Sequence, residues 1–286
     1  MMRKFLLIAC RVGFYIIFSA APLYALGDGT SPHVDMPFGS GIANFESETQ
    51  GNSFIVSFGY ENILKRQIDN TDTAVSGELE GGWALLGLGY RIANQFEPYL
   101  RIGVSMIDAK WSENYNDKIE LDGSTDLAVG LGLKMLVYQR RITSLSKLKL
   151  GLDGQVRYTN PSVDSVKVDG ASRSVSASDL KIFEGRVSAT VGVEISLKRL
   201  LEFDEELEGD LDYYLIPYIG AVYSDGLVTA DYVDNGTRFG YSDDPYEYKL
   251  NMLAGMDLII PEYLSLNVEG QLFNDKSLSG GLSLKF

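Results

Sequence analysis

The chain has 286 residues, of which 45% are hydrophobic and 22% charged, and its formal net charge is −14. A chain this acidic does not fit nucleic acid as a partner, because nucleic-acid binding depends on basic patches. It has one cysteine, Cys10, and one histidine, His33. These counts exclude a disulfide framework and argue against a transition-metal site, so no metal and no cofactor is expected.

Residues 1–25 have the pattern of a secretory signal peptide, with two early basic residues followed by a mostly apolar run. Cleavage after Ala25 would remove Cys10, leaving no thiol in the mature chain. It would also take the net charge from −14 to −17, since the segment holds three basic residues and no acidic one. We expect residues 26–51 to form an N-terminal periplasmic extension and residues 52–286 to form one folded domain.

From residue 52 onward, apolar residues recur at every second position over stretches of roughly ten residues, the pattern of transmembrane β-strands. Val187, Ala189 and Val191, for example, alternate with Ser188 and Thr190. This periodicity predicts an all-β, antiparallel up-and-down transmembrane barrel of about ten strands, with eight or twelve as alternatives. The predicted strands are 52–62, 77–92, 97–111, 121–138, 146–160, 181–197, 211–225, 245–259, 262–273 and 276–286.

The lengths of the connections between these strands support an even strand number. If Phe286 ends on the periplasmic side, the outer connections are 63–76, 112–120, 161–180, 226–244 and 274–275. Four of these five are long and polar, whereas barrels have short periplasmic turns and long outer loops. The segments 161–180 and 226–244 are therefore expected to be surface loops that could bind partners.

The C-terminus resembles the terminal strand signal of Gram-negative outer-membrane β-barrels. A polar residue, a glycine and two hydrophobic residues occupy the matching positions: Ser279, Gly281, Leu284 and Phe286. Two segments that begin Pro98-Tyr99 and Pro217-Tyr218 and continue into glycine-containing strands are similar to strands of the OmpA-like β-barrel superfamily. The resemblance implies location in the outer membrane of a Gram-negative bacterium. It also implies contacts with lipid, lipopolysaccharide and the barrel-assembly machinery, and leaves the oligomeric state open.

Charged residues on the predicted inner face carry both signs and should therefore form pairs, because an unpaired buried charge is costly. They are Glu61, Arg101, Lys134, Lys149, Asp153, Arg157, Glu184, Arg186, Glu194, Lys249, Asp257 and Glu269. A ten-stranded barrel is little wider inside than its own side chains. We therefore expect a lumen plugged by paired charges. The alternative is a narrow pore, because Gly130, Gly132, Gly151 and Gly192 would leave space.

The remaining expectations concern function. Aromatic residues near strand ends, among them Phe54, Tyr99, Trp111, Phe183 and Phe286, are expected to form girdles at the membrane interfaces. Small-barrel enzymes resemble one another in needing a catalytic histidine, and His33 precedes the first strand, so no enzymatic activity is expected. The sequence favours a structural or surface-interaction role through the outer loops, with a narrow diffusion channel for small solutes or ions as the alternative.

Overall fold

The computed structural model describes residues 53–68, 77–92, 95–113, 117–143, 145–173, 177–197, 213–234, 237–245, 249–260, 264–273 and 275–286. The predicted signal peptide at 1–25, the predicted extension at 26–51 and His33 lie outside these residues, so those expectations stay predictions. In the described part of the chain, no helix is long and apolar enough to span a membrane.

Ten antiparallel strands form a closed barrel, which confirms the predicted fold and strand number. Each pairs with its neighbour in the wall, and the last strand returns to the first through ten residue pairs, from Ile55 with Lys285 to Lys65 with Lys276. In order, they are Ser53–Ile68 (β1), Gly77–Arg91 (β2), Phe96–Glu113 (β3), Asp126–Arg141 (β5), Ser146–Thr159 (β6), Ala177–Ser196 (β9), Tyr214–Asp234 (β10), Leu250–Ile260 (β12), Leu264–Leu272 (β13) and Lys276–Lys285 (β14).

Four shorter strands extend the wall at the end of the barrel away from Phe286. They are Asp117–Gly123 (β4), Val163–Val168 (β7), Ala171–Arg173 (β8) and Thr237–Pro245 (β11). β4 pairs with β3 and β7, β7 pairs with β8, and β11 pairs with β10. We call this part of the wall, together with the adjoining ends of β1, β2, β3, β9 and β10, the outer extension.

The outer extension corrects the loop prediction. The segments 112–120, 161–180 and 226–244 were expected to be loops, but most of their described residues lie in strands. Val166 and Val168 alternate with Ser165 and Lys167, so the period of two persists there with polar outward residues. The polar residues on the outward face are the reason why the sequence predicted loops in these segments. The β7–β8 connection is a two-residue turn in which Asp169 and Gly170 both have positive φ, the geometry that matches hairpin twist.

Large hydrophobic side chains point outward around the barrel below the outer extension. Each of the following has more than half of its surface exposed: Phe58, Leu88, Leu100, Leu131, Ile219, Leu250, Val268 and Leu278. A water-soluble protein does not expose a continuous apolar band of this kind, whereas a transmembrane barrel presents it to lipid. We call this band the lipid belt.

The outer rim of the barrel is uneven because the β13–β14 hairpin is short. β14 begins at Lys276, which pairs with Lys65, and β1 continues to Ile68 above that pair. On the other side, β11 pairs with β10 alone among the described strands. Among the described residues, β1 therefore extends three residues beyond the start of β14.

Candidate functional site in the barrel lumen

An apolar core fills the outer end of the lumen. Its residues come from β1, β2, β3, β4, β5, β7, β9 and β10, and almost all of their surface is buried. They include Ile63, Leu79, Trp83, Leu85, Ile107, Trp111, Leu121, Val166, Ile182 and Val228. The sequence reasoning missed this core because it took the segments that supply much of it to be loops. Burying this apolar surface stabilises the outer extension as a packed unit.

Below the apolar core lies a group of buried charges, which we call the central charge cluster: Glu61, Arg66, Arg157, Glu184, Arg186, Glu269 and Asp275. Arg157 donates to Glu184 at 2.8 Å from Nη2 and 3.1 Å from Nε, and to Glu61 at 2.5 Å from Nη1. Arg66 donates to the same oxygen of Glu184 at 2.6 Å. Two guanidinium groups thus share one carboxylate, and the shared charge-assisted hydrogen bonds offset the desolvation of all three groups.

The central charge cluster continues towards β13 and β14. Arg186 lies 3.2 Å from Glu269 and 3.7 Å from Glu61. Nε of Arg66 lies 3.2 Å from Oδ2 of Asp275, in the β13–β14 turn. Since Arg66 also lies 3.6 Å from Glu61, it joins the turn to the middle of the lumen.

The aromatic ring of Trp83 lies where the apolar core meets the central charge cluster. The Arg157 guanidinium is 4.4 Å from the centroid of the Trp83 ring. Such a cation–π contact is attractive, and more so when the cation is removed from water. The contact lets a fully buried tryptophan pack directly on a buried cation.

Three further ion pairs lie towards the Phe286 end of the lumen. Lys149 and Lys147 both pair with Glu194, and Lys149 is completely buried. Arg91 lies 3.5 Å from Glu97, both of them buried. The lumen is therefore occupied by paired charges from its Phe286 end to its middle, with the apolar core closing the opposite end.

Tyr99 and Tyr218, the tyrosines of the two Pro-Tyr segments, occupy equivalent positions in the wall. Tyr99 pairs with Gly89 and Gly132 on its two neighbouring strands. Its hydroxyl donates to Asp153, one strand further on, at 2.8 Å. A side chain at Gly132 would meet the Tyr99 ring, since an added Cβ would lie 2.3 Å from it. The space expected at Gly132 is thus filled by an aromatic ring.

Tyr218 repeats this arrangement on the other side of the barrel. It pairs with Gly192 and Gly255 on its neighbouring strands, and a Cβ at Gly255 would lie 2.3 Å from its hydroxyl oxygen. The hydroxyl donates to Glu269 at 3.2 Å and accepts from Asn267 at 2.8 Å. The alternative of a pore relied on glycines that leave space in the lumen. At Gly132 this space is filled by Tyr99. At Gly192 it is filled by Tyr218, which would lie 3.1 Å from an added Cβ.

Eleven of the twelve residues predicted to line the lumen are buried: Glu61, Arg101, Lys134, Lys149, Asp153, Arg157, Glu184, Arg186, Glu194, Asp257 and Glu269. Lys249 is the exception. Its side chain is 35% exposed and pairs with Asp225 at 2.9 Å. Lys249 precedes β12 rather than lying within a strand, so the alternation that was used to assign its face does not extend to it.

Sequence reasoning missed five buried charges among the described residues: Arg66, Arg91, Glu97, Asp225 and Asp275. Arg66 follows a register shift between Ile63 and Arg66 that changes which residues face inward, and the predicted strand had ended before it. Arg91 is in a strand whose phase the sequence left ambiguous, and Glu97 and Asp275 are next to turns. The alternation at Gly87, Gly89 and Arg91 could have identified Arg91 as inward-facing.

The expected aromatic girdle is only partly formed. Phe54, Tyr60, Phe273 and Phe286 are exposed at the surface of the barrel, but Tyr99 and Trp111 point into the lumen and are buried. Phe183 is also buried, because Val156, Val187 and Leu227 pack against it. Packing inside the lumen explains Tyr99 and Trp111, whereas Phe183 lies on the outward face and is covered by its neighbours there.

A row of alternating charges crosses the outer surface of the outer extension, and we call it the outer charge row. Lys65 pairs with Glu78, Lys110 with Glu80 at 2.6 Å, and Lys167 with Asp122 at 2.8 Å. Hydrogen bonds donated by Lys167 and Ser165 hold the pKa of Asp122 below its usual value, and the same contact raises the pKa of Lys167. Opposite charges facing each other across strands favour this pairing.

A neighbouring carboxylate in the outer extension behaves differently. Partial burial raises the pKa of Asp108, against the effect of a hydrogen bond from the Gly123 amide to Oδ1 at 2.9 Å. Among the described residues, no three His, Cys, Asp or Glu side chains are arranged to hold a metal ion.

The four residues of the C-terminal signal lie on the strand that closes the barrel. Ser279 is buried and pairs with Glu61 and Glu269, Gly281 pairs with Gly59, and Leu284 and Phe286 are exposed on the lipid side. The backbone of Phe286 exchanges two hydrogen bonds with Phe54, at 2.9 and 3.2 Å. The terminal residue is thus part of the seam at which the barrel closes.

The closed ten-stranded wall, the lipid belt and the polar interior define a transmembrane β-barrel. No protein-family model matches the chain, and no curated protein matches it. Among solved structures, the chain is similar to the outer-membrane protease OmpT from Escherichia coli, at 10% identity over 82% of this chain and 96% of that one, with a TM-score of 0.43.

Two other similar structures are an outer-membrane protein and a transporter. OprG from Pseudomonas aeruginosa matches at 10% identity over 82% of this chain and 96% of that one, with a TM-score of 0.37. The toluene transporter TodX from Pseudomonas putida matches at 9% identity over 90% of this chain and 99% of that one, with a TM-score of 0.32. These likenesses concern the barrel fold alone.

Proposed function

We propose that this protein is an integral outer-membrane barrel with a closed lumen, which acts at the cell surface through its outer extension. The observation that carries the proposal is the double filling of the lumen, by the apolar core at the outer end and by the central charge cluster below it. Water and ions crossing along the barrel axis would have to separate both layers. The expected role is therefore structural or interactive, and it involves no catalysis.

Single-channel recording of the refolded mature chain in a planar bilayer tests the closed lumen. We expect a heat-modifiable, β-rich protein that gives no discrete openings. Reproducible openings of the unmodified chain would overturn the proposal. Trp83→Ala is the matched positive variant, because it removes the large ring between the two layers and should leave a cavity.

The surface role rests on the outer extension rather than on flexible loops. Its outward face carries the outer charge row, and the proposal places this row at the height of the lipopolysaccharide head groups. Lys110 and Lys167 are the cations of this row that lie on β3 and β7. We propose contact with lipopolysaccharide here; co-purified lipopolysaccharide should fall in a Lys110→Ala, Lys167→Ala double variant, and an unchanged amount would refute the contact.

A narrow channel is the second candidate, and one observation favours it. Hydrogen bonds and ion pairs of up to 3.7 Å lead from Asn267 through the central charge cluster to Asp275. If the unmodified chain conducts, ion selectivity that changes in Arg186→Ala would support this candidate, because Arg186 lies on that path.

A further inference from the structure

The seam that closes the barrel brings two lysines together on the outward face. Lys65 of β1 and Lys276 of β14 are cross-strand partners, and both side chains reach the surface. Like charges directly opposite each other in a sheet repel. Lys65 donates to Glu78 and keeps two further N–H donors, because an ammonium group has three. An anion between the two ammonium groups would therefore be held by both and would remove the repulsion.

Lys276 differs from the other lysines of the outer surface in having no carboxylate partner. Lys110 is held by Glu80 at 2.6 Å, and Lys167 by Asp122 at 2.8 Å. Within the described part of the chain, the exposed side chain of Lys276 forms neither an ion pair nor a hydrogen bond. Its charge is thus available to an anion from outside the protein.

A depression in the lipid belt begins below this lysine pair. Its floor consists of three small outward residues on adjacent strands: Ala254 of β12, Gly270 of β13 and Gly280 of β14. Ala254 pairs with Gly270, which pairs with Leu278. A Cβ at Gly270 or Gly280 would have, as its nearest described neighbour, a backbone oxygen at 3.9 or 3.5 Å, so no described side chain covers either position. Leu272 and Leu278, both more than half exposed, border this floor, and we call the depression the acyl groove.

From these two features we propose that one lipopolysaccharide molecule binds here, with a phosphate group between Lys65 and Lys276 and an acyl chain in the acyl groove. The site has the polarity of such a lipid, because the cations lie at the edge of the lipid belt farthest from Phe286 and the groove lies among lipid-facing residues. A phosphate oxygen accepts strong charge-assisted hydrogen bonds from ammonium groups. The inference rests on the contact with lipopolysaccharide proposed above, and it adds a defined site at the barrel seam.

Titration with defined lipids tests this site. The mature chain, refolded in detergent, is mixed with phosphorylated lipid A or with lipid A from which the phosphates have been removed, and native mass spectrometry measures the bound fraction. Inorganic phosphate is added in excess as a competitor, because a site for free phosphate would release the lipid.

We expect Lys276→Ala to weaken binding of phosphorylated lipid A by about tenfold, the factor that corresponds to losing one charge-assisted hydrogen bond. Lys276→Arg keeps the charge and should bind as the unmodified chain does. Neither substitution should affect the dephosphorylated lipid, which lacks the group that the lysines contact. Inorganic phosphate should leave the phosphorylated lipid bound, because it does not occupy the acyl groove.

The acyl groove has its own variant and control. Gly270→Leu fills the groove with a side chain that suits the lipid face, and it should weaken binding of both lipids. Ala189→Leu places the same side chain on the lipid face of β9, three strands away in the wall, and should leave binding unchanged. Heat modifiability checks that each variant has folded.

Three results would overturn the site: equal affinity of Lys276→Ala and the unmodified chain for phosphorylated lipid A, equal weakening by Gly270→Leu and Ala189→Leu, or release of the lipid by inorganic phosphate. These failures are distinguishable from failure of the wider contact. If the Lys110→Ala, Lys167→Ala double variant loses lipopolysaccharide while Lys276→Ala binds normally, the contact along the outer charge row stands and the seam site falls.

Discussion

The ring of Tyr99 lies across Gly132 on the neighbouring strand, and its hydroxyl reaches Asp153 on the strand after that. Glycine is required at this position because an added Cβ would lie 2.3 Å from the ring. The side chain of Tyr99 on β3 therefore contacts both β5 and β6. These contacts can form only in the observed register of the strands. A shift of one residue would place Tyr99 on the lipid side.

We expect Gly132→Ala to destabilise the barrel by about 1–3 kcal/mol, the usual cost of overpacking a filled site. Gly270→Ala is the control, because the nearest atom to a Cβ there is 3.9 Å away. Urea unfolding of the refolded barrel in detergent measures both. Equal midpoints for the two variants would mean that the ring of Tyr99 moves aside without cost.

The buried ion pairs should be far more sensitive to substitution than the outer charge row. Arg157→Ala removes the cation that donates to both Glu61 and Glu184 and leaves the cluster with too few cations for its buried carboxylates, so we expect a loss of about 3–5 kcal/mol of unfolding free energy. Lys167→Ala breaks a solvent-exposed pair and should change the unfolding free energy much less. Similar losses for the two variants would contradict a desolvated central charge cluster.

Asp108 and Asp122 should respond to pH in opposite directions. Burial raises the pKa of Asp108, so the folded state binds its proton more tightly than the unfolded state does, and stability falls as pH rises through that pKa. Asp108→Asn should therefore be slightly more stable than the unmodified chain at neutral pH, by less than about 1 kcal/mol given the partial exposure. The difference in unfolding free energy between Asp108→Asn and the unmodified chain should vanish when the pH is below the pKa of an unfolded aspartate.

The pKa of Asp122 is lowered, so its contribution is present above the unfolded pKa and is lost as pH falls through the folded value. Asp122→Asn should accordingly be less stable than the unmodified chain at neutral pH and equal to it in strong acid. Urea midpoints measured across this pH range distinguish the two variants, and a shift of the same sign in both would be incompatible with these assignments.

The C-terminal residue should matter for assembly more than for final stability. Phe286 is 74% exposed, so its ring contributes little packing, but its backbone closes the seam with Phe54. We expect Phe286→Ala to reduce the heat-modifiable fraction in outer membranes, as the proposed reading by the assembly machinery implies. Phe58→Ala, on the same lipid face, is the control, and equal reductions would assign the effect to lost lipid contact.

The membrane-spanning part of this fold could be predicted from the sequence. There, apolar residues alternate with polar residues, and the apolar residues face outward while the polar residues face the lumen. Val187, Ala189 and Val191 face lipid or neighbouring outward side chains, while Ser188 and Thr190 are buried in the lumen. In the outer extension both faces change: the interior becomes apolar at Leu121 and Val166, and the exterior becomes charged at Asp122 and Lys167. The alternation persists there with its polarity reversed.

The central charge cluster shows a different limit of sequence reasoning. Arg186 and Glu269 could be assigned to the lumen from alternation, but their pairing depends on which strands face each other across the barrel. Arg66 was out of reach because a register shift lies between Ile63 and Arg66, and bulges leave no reliable signal in a single sequence. The side chain that links the turn to the lumen is therefore visible only in three dimensions.

The β7–β8 hairpin ends in Asp169 and Gly170, both with positive φ, and a Cβ at Gly170 would meet no atom within 4 Å. Along the paired strands beneath it, a single inserted residue would turn every following side chain to the opposite face. Natural length variation, and any engineered epitope tag, should accordingly be tolerated at this tip and rejected a few residues below it.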